Sequence, residues 1–198
     1  PFVVLGAGLL WFGWFGFNGG SALGASDIAA TAFATTHVAA AAGVLAWITL
    51  DSLWHRHATA VGAATGAVAG LVGITPAAGF VTPLAAFLAI RVRSRSRIDD
   101  ALDVFACHGV AGIVGAVLTG VFASKTVNPA GADGLLAGGG VGLLGVQITA
   151  VLAAMVYAGA ATGAILLLLG RLMPLRVPLA IEVAGIDQAE HGEEAYQS

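Results

Sequence analysis

The sequence predicts an all-α fold, a polytopic membrane helix bundle, and three observations carry that expectation. Of 198 residues, 58% are hydrophobic and 10% are charged, and the mean hydropathy is +0.92. Soluble domains hold about 25% charge and about 45–50% apolar residues. Apolar runs of membrane length recur along the chain, separated by Asn-Gly-Gly, Pro or charged stretches. Alternating strand patterns with turn signals are absent, which argues against a transmembrane barrel. This balance excludes an ordinary soluble domain, a disordered chain and a nucleic-acid binder with a basic patch. One cysteine excludes a disulfide framework and any multi-cysteine metal site. Twenty-nine glycines are about twice the usual share. In an apolar chain they point to helices whose backbones approach closely.

A spanning helix needs about 20 predominantly apolar residues. Candidate spans are 1–17, 28–50, 59–75, 77–90, 104–123 and 143–169, followed by a polar, acidic tail over 171–198. The first ends at Asn18-Gly19-Gly20, and the second is bracketed by Asp27 and Asp51. The third carries Gly62, Gly66 and Gly70 at four-residue spacing, a doubled small-xxx-small packing face. The fourth is short, since 14 helical residues reach about 21 Å against a hydrocarbon core of about 30 Å. Charge placement argues that it crosses. With six crossings, Arg56, Arg91, Arg93, Arg95, Arg97, Arg171 and Arg176 share one side, leaving only Lys125 among the eight cations opposite. The positive-inside bias makes that side cytoplasmic. The C-terminus is then cytoplasmic, and the segments 17–27 and 131–140 face outside. The chain opens at Pro1, already apolar and without an initiator Met or a charged leader. It reads as a fragment starting at the edge of a membrane helix, with no signal peptide.

His108 is the residue with the clearest chemistry. It follows Asp99, Asp100 and Asp103, acids suited to a helix N-terminus. At 100° per residue it shares a face with Gly112, Gly115 and Thr119, which suggests a close helix or a narrow cavity rather than lipid. The bland alternative is an interhelical hydrogen bond. Ionisable groups inside membranes are functional by default. His37, on a face of Ala30, Phe33, Ala34, Ala41 and Val44, reads as structural packing, because two histidines alone make a poor metal site. His55 and His57 read as interfacial. Trp11, Trp14, Phe15 and Phe17 cluster before Asn18-Gly19-Gly20-Ser21. They form either an interfacial aromatic belt or a mouth that attracts a cation through ring faces. Cys107 beside His108 reads as a small core residue rather than a nucleophile, so no enzyme and no cofactor is expected.

Four strings, in order along nearly the whole chain, resemble the ammonium transporter (Amt/Mep/Rh) family. They are Trp11-Phe12-Gly13-Trp14-Phe15-Gly16-Phe17-Asn18-Gly19-Gly20-Ser21, Gly73-Ile74-Thr75-Pro76-Ala77, the segment 98–112 around Asp103-Val104-Phe105-Ala106-Cys107-His108-Gly109, and the tail 185–196. The resemblance covers the family's second half, from its sixth membrane helix onward. It therefore implies about six helices matching the second inverted repeat plus the last helix. Phe17 resembles a stacked phenylalanine closing the outer mouth, Ser21 a hydroxyl that recruits ammonium, and Trp14 a pore-lining tryptophan. His108 resembles the second of twin pore histidines, with Val104 and Asp103 toward the inner mouth. The implied partners are ammonium or ammonia, membrane lipid, two further copies in a homotrimer, and a P-II signalling protein at the cytoplasmic tail. The first repeat, with the partner histidine, the other gate phenylalanine and a recruitment tryptophan, is not in this chain. That leaves a partial transporter in the cell membrane, with an ammonium sensor on the same fold or a non-conducting fragment as alternatives.

Overall fold

The computed structural model describes residues 1–80 and 104–193. It is all-helical over these residues, without a strand among them. Contacts divide the chain into two compact units, Pro1–Leu152 and Ala153–Ser198. Helices α1 (Phe2–Gly20), α2 (Asp27–His55), α3 (Ala60–Ile74) and α4 (Ala111–Phe122) lie in the first. Helix α5 (Gly142–Leu172) passes from the first into the second, which ends with the short α6 (Leu179–Ala184) and a π-type turn at Asp187–His191. Among the described residues, four stretches are long and apolar enough to cross a membrane, namely Phe2–Gly20, Asp27–Leu53, Ala60–Ala77 and Gly142–Leu172, and Cys107–Phe122 is a shorter apolar helix. From residue 81 the fourth candidate span lies outside the described residues, as does Asp103.

The helix ends follow local chemistry. Ser26 caps α2, its hydroxyl accepting from the Ala29 N–H at 3.3 Å, and Asp27 stands in the first turn where the helix dipole favours a negative charge. Helix α2 closes on Arg56 in the left-handed region, φ 61°. Thr59 caps α3 through the Gly62 N–H at 2.9 Å. Helix α3 tightens into a 3-10 turn over Thr75–Ala77, because Pro76 has no N–H to continue the ladder. Helix α1 runs three residues past Phe17, the end expected before Asn18. The reason is a buried partner: Asn18 Nδ2 donates to Thr36 Oγ1 at 2.9 Å, so the polar side chain is satisfied inside the bundle.

The core is a stack of small residues. The expected glycine face of α3 is real: a Cβ on Gly66 would lie 2.6 Å from the Gly43 carbonyl oxygen and 2.7 Å from the Trp47 Cβ. One on Gly70 would collide with the Ala39 backbone, and one on Gly115 of α4 with the Gly73 carbonyl of α3. Only glycine lets these backbones meet, and in lipid such van der Waals contact is a main source of helix association. Thr35, fully buried, donates across to the Ala78 carbonyl at 2.6 Å and ties α2 to the end of α3. After α4 the chain folds back on itself. The Ser124 N–H bonds the Phe80 carbonyl at 3.0 Å, the Gly134 N–H bonds the Ala123 carbonyl at 2.8 Å, and Asp133 Oδ1 accepts from the Lys125 N–H at 2.8 Å.

Candidate functional site

The end of α1 gathers three of the predicted site residues. Trp14 and Phe17 are three residues apart, so they share a helix face. Their rings meet edge-on with centroids 5.8 Å apart and an interplanar angle of 60°, a favourable arrangement of ring quadrupoles. The Trp14 indole Nε1–H donates to Thr75 Oγ1 at 2.8 Å, linking α1 to the end of α3. Phe17 keeps 62% of its surface exposed. Ser21, the residue that caps α1, donates its hydroxyl proton to the Phe17 carbonyl at 2.7 Å. A hydroxyl has one proton and two lone pairs. Ser21 Oγ therefore presents acceptor capacity at the exposed end of α1.

His108 lies in a π-type segment, Phe105–Val110, that precedes α4. The wider π turn breaks the 100° register from which a common face with Gly115 and Thr119 was expected. Gly115 and Thr119 are buried and His108 is exposed, so the three do not form one buried face. Val104 is half exposed, at 50%. Cys107 is 3% exposed, with Sγ 3.7 Å from the Thr65 carbonyl oxygen. A buried thiol packed on a backbone carbonyl beside an exposed imidazole matches the expectation of a small core residue. No cluster of three metal-ligating side chains exists among the described residues.

His37 is better partnered than its own helix face suggested. Its ring sits 5.5 Å from Trp11 and 5.9 Å from Phe15, and Phe15 stacks on Phe33 at 4.0 Å and 15°. The Trp11 Nε1 atom is buried with no hydrogen-bond partner among the described residues. At the opposite end of α2, a cavity of about 300 Å³ lies between Trp47, Asp51, His57, Thr59 and Thr65. There the Asp51 carboxylate accepts from the Thr59 hydroxyl at 3.3 Å. Sequence patterning missed the pairing of Thr75 with Trp14 and that of Trp11 with His37. The only local trace of the first was the Thr-Pro pair that ends α3.

Comparison of the whole chain with known proteins places it in a family. The model of the Ammonium Transporter Family matches residues 1–196. The chain belongs to the ammonium transporter family. It is 43% identical to an ammonium transporter of Bacillus subtilis, over 99% of this chain and 51% of that protein. It is 48% identical to an ammonium transporter of Aquifex aeolicus, over 99% of this chain and 48% of that protein. Among solved structures, Mep2 of Saccharomyces cerevisiae superposes with a TM-score of 0.72 at 39% identity, covering 86% of this chain and 43% of that one. A structure described as a sensor Amt protein gives 0.80 at 31% identity, covering 94% of this chain and 48% of that one. This family member thus spans about half the length of the relatives it matches. Those relatives are named as transporters rather than enzymes.

Proposed function

We propose that this chain supplies one wall of an ammonium-conducting pore, with Phe17, Trp14 and Ser21 at its outer mouth and His108 deeper in the membrane. The observation that carries this reading is the Ser21 hydroxyl. Its proton is committed to the Phe17 carbonyl, so its lone pairs are free to accept from an N–H cation against an aromatic face. An ammonium ion is expensive in hydrocarbon and neutral ammonia is far cheaper to move. Recruitment at the mouth followed by loss of a proton lets the neutral molecule pass an apolar channel. A neutral imidazole at His108 both donates and accepts hydrogen bonds along that path, and the proton travels separately. Val104 and Asp103 stand toward the inner mouth. The second pore wall comes from a first repeat outside residues 1–198, in a parent protein that is a homotrimer of the cell membrane. The arginine-bearing loops and the tail face the cytoplasm, where a P-II signalling protein docks on the tail.

The test is saturable uptake of methylammonium by liposomes carrying the parent protein. Loss of uptake in His108→Ala and a raised KM in Ser21→Ala are expected; unchanged kinetics in both overturn the assignment. A second reading, an ammonium sensor, is favoured by the likeness to the sensor Amt protein. It predicts saturable ligand binding to the same residues without net flux.

A further inference from the structure

The Gly73-Ile74-Thr75-Pro76-Ala77 motif has no role in the proposed pore, yet it holds a side-chain hydrogen bond between residues 61 apart. We propose that Thr75 is a positioning residue for the mouth aromatics: its hydroxyl captures the Trp14 indole N–H and so sets the ring plane against which Phe17 leans. The inference rests on the reading of Trp14 and Phe17 as pore residues.

The chemistry begins in the backbone. At the end of α3 the Thr75 N–H bonds the Val72 carbonyl, one residue short of the α-helical partner, as the chain tightens toward Pro76. That shift leaves the Leu71 carbonyl to the Thr75 side chain, and Oγ1 donates to it at 2.8 Å. The single hydroxyl proton is thereby spent, so Oγ1 faces the indole purely as an acceptor. Trp14 Nε1–H donates to it at 2.8 Å. Indole has one donor and no acceptor, which has two consequences. Trp14 has no polar hydrogen left to offer a substrate and presents only its ring. Its two side-chain torsions are pinned at both ends, by the backbone of α1 and by α3. The pinned ring then meets Phe17 edge-on at 5.8 Å. In this chain of contacts a hydroxyl in the turn that ends α3 governs the tilt of an exposed phenylalanine on α1.

The experiment uses the parent protein with Thr75→Val, Thr75→Ser, Trp14→Phe and the double variant Thr75→Val/Trp14→Phe. Ultraviolet resonance Raman spectra, differenced against Trp14→Phe, isolate the indole N–H band of Trp14. Thr75→Val is expected to shift that band to the position of an indole without a hydrogen bond, and Thr75→Ser to restore it. Loss of one neutral hydrogen bond corresponds to about a threefold to tenfold change. The KM for methylammonium is expected to rise by that factor in Thr75→Val, to recover in Thr75→Ser, and to show no further rise when Thr75→Val is added to Trp14→Phe. An unmoved band in Thr75→Val overturns the proposal. So does an equal effect of Thr75→Val with and without Trp14, which would mark a tie between helices and nothing more. A wild-type parent that moves no substrate overturns the pore reading instead, and the indole band then decides the role of Thr75 alone.

Discussion

Asn18 on α1 and Thr36 on α2 form a buried side-chain pair, Nδ2 to Oγ1 at 2.9 Å. The pair is asymmetric. Thr36 also donates its proton to the Ala32 carbonyl of its own helix at 2.6 Å, so it is a fixed acceptor waiting for the amide. Thr36→Val keeps the shape and leaves the Asn18 amide buried without that partner. Interhelical hydrogen bonds in membranes average about 0.6 kcal/mol and reach about 1.7. A destabilisation of about 1 kcal/mol is expected, measured by reversible unfolding in mixed micelles. Stability equal to wild type would show that the amide finds another partner.

The glycine contacts predict a sharper contrast. A methyl at Gly66 meets the Gly43 carbonyl oxygen at 2.6 Å and the Trp47 Cβ at 2.7 Å, both parts of a packed helix. Gly159 on α5 has nothing within 4 Å. Overpacking of this kind costs about 1–3 kcal/mol. Gly66→Ala is expected to lower folded yield and stability by that amount, and Gly159→Ala to leave this chain's stability within about 0.5 kcal/mol. Equal effects in the same unfolding assay contradict the packing described for α2 and α3.

Periodicity and composition went far with this chain because lipid allows few alternatives. A run of about 20 apolar residues has to be a helix there, and glycines four apart on α3 had to mark a packing face. The misjudged boundaries have a common cause. Asn18-Gly19-Gly20 looks like a stop only until Thr36, 18 residues on, supplies a partner. The π segment at Phe105–Val110 leaves no mark in composition, yet it interrupts the 3.6-residue periodicity on which the face of His108 was assigned. Thr75 with Trp14, and Trp11 with His37, are tertiary pairs that no local window contains. Trp14, Phe17 and Ser21 stand out in the sequence at the end of one apolar run; the bonding that fixes them does not.

Ser21 gives a test of the recruitment step that is independent of the pore interior. Its hydroxyl sits at the exposed end of α1 with its proton on the Phe17 carbonyl. A hydrogen bond to a charged partner is worth about 1.5–3 kcal/mol when shielded from water and less at an exposed mouth. Ser21→Ala in the parent is expected to raise the KM for methylammonium about tenfold while Ser21→Thr stays near wild type. Equal kinetics in all three would move recruitment elsewhere.

The arginine distribution predicts topology. Cysteines placed singly at positions 56 and 95, in a background where Cys107 is replaced by serine, are expected to react with an impermeant thiol reagent only from the cytoplasmic side. A cysteine at Lys125 is expected to react only from outside. Both expectations follow from placing seven of the eight cations on one face. Labelling of positions 56 and 95 from opposite sides refutes the six-crossing arrangement and reverses the orientation of α1.

The final prediction is that residues 1–198 alone do not transport ammonium, although the parent does. A pore needs opposing walls, and the candidate pore residues here have one. Phe17 is 62% exposed on α1 and Val104 50% exposed, and His108 is exposed beside α4. None of them faces a second aromatic or histidine wall among the described residues. If the opposing wall belongs to a first repeat, the isolated chain presents these groups to lipid. An imidazole in hydrocarbon is costly, which favours local thinning or aggregation over a dry channel. The relevant comparison is methylammonium uptake by liposomes holding only residues 1–198, beside liposomes holding the parent. Background uptake from the first set and saturable uptake from the second are expected. Saturable uptake by residues 1–198 that disappears in His108→Ala would mean that the walls are built by this chain itself, between copies, and that the two-repeat pore is wrong.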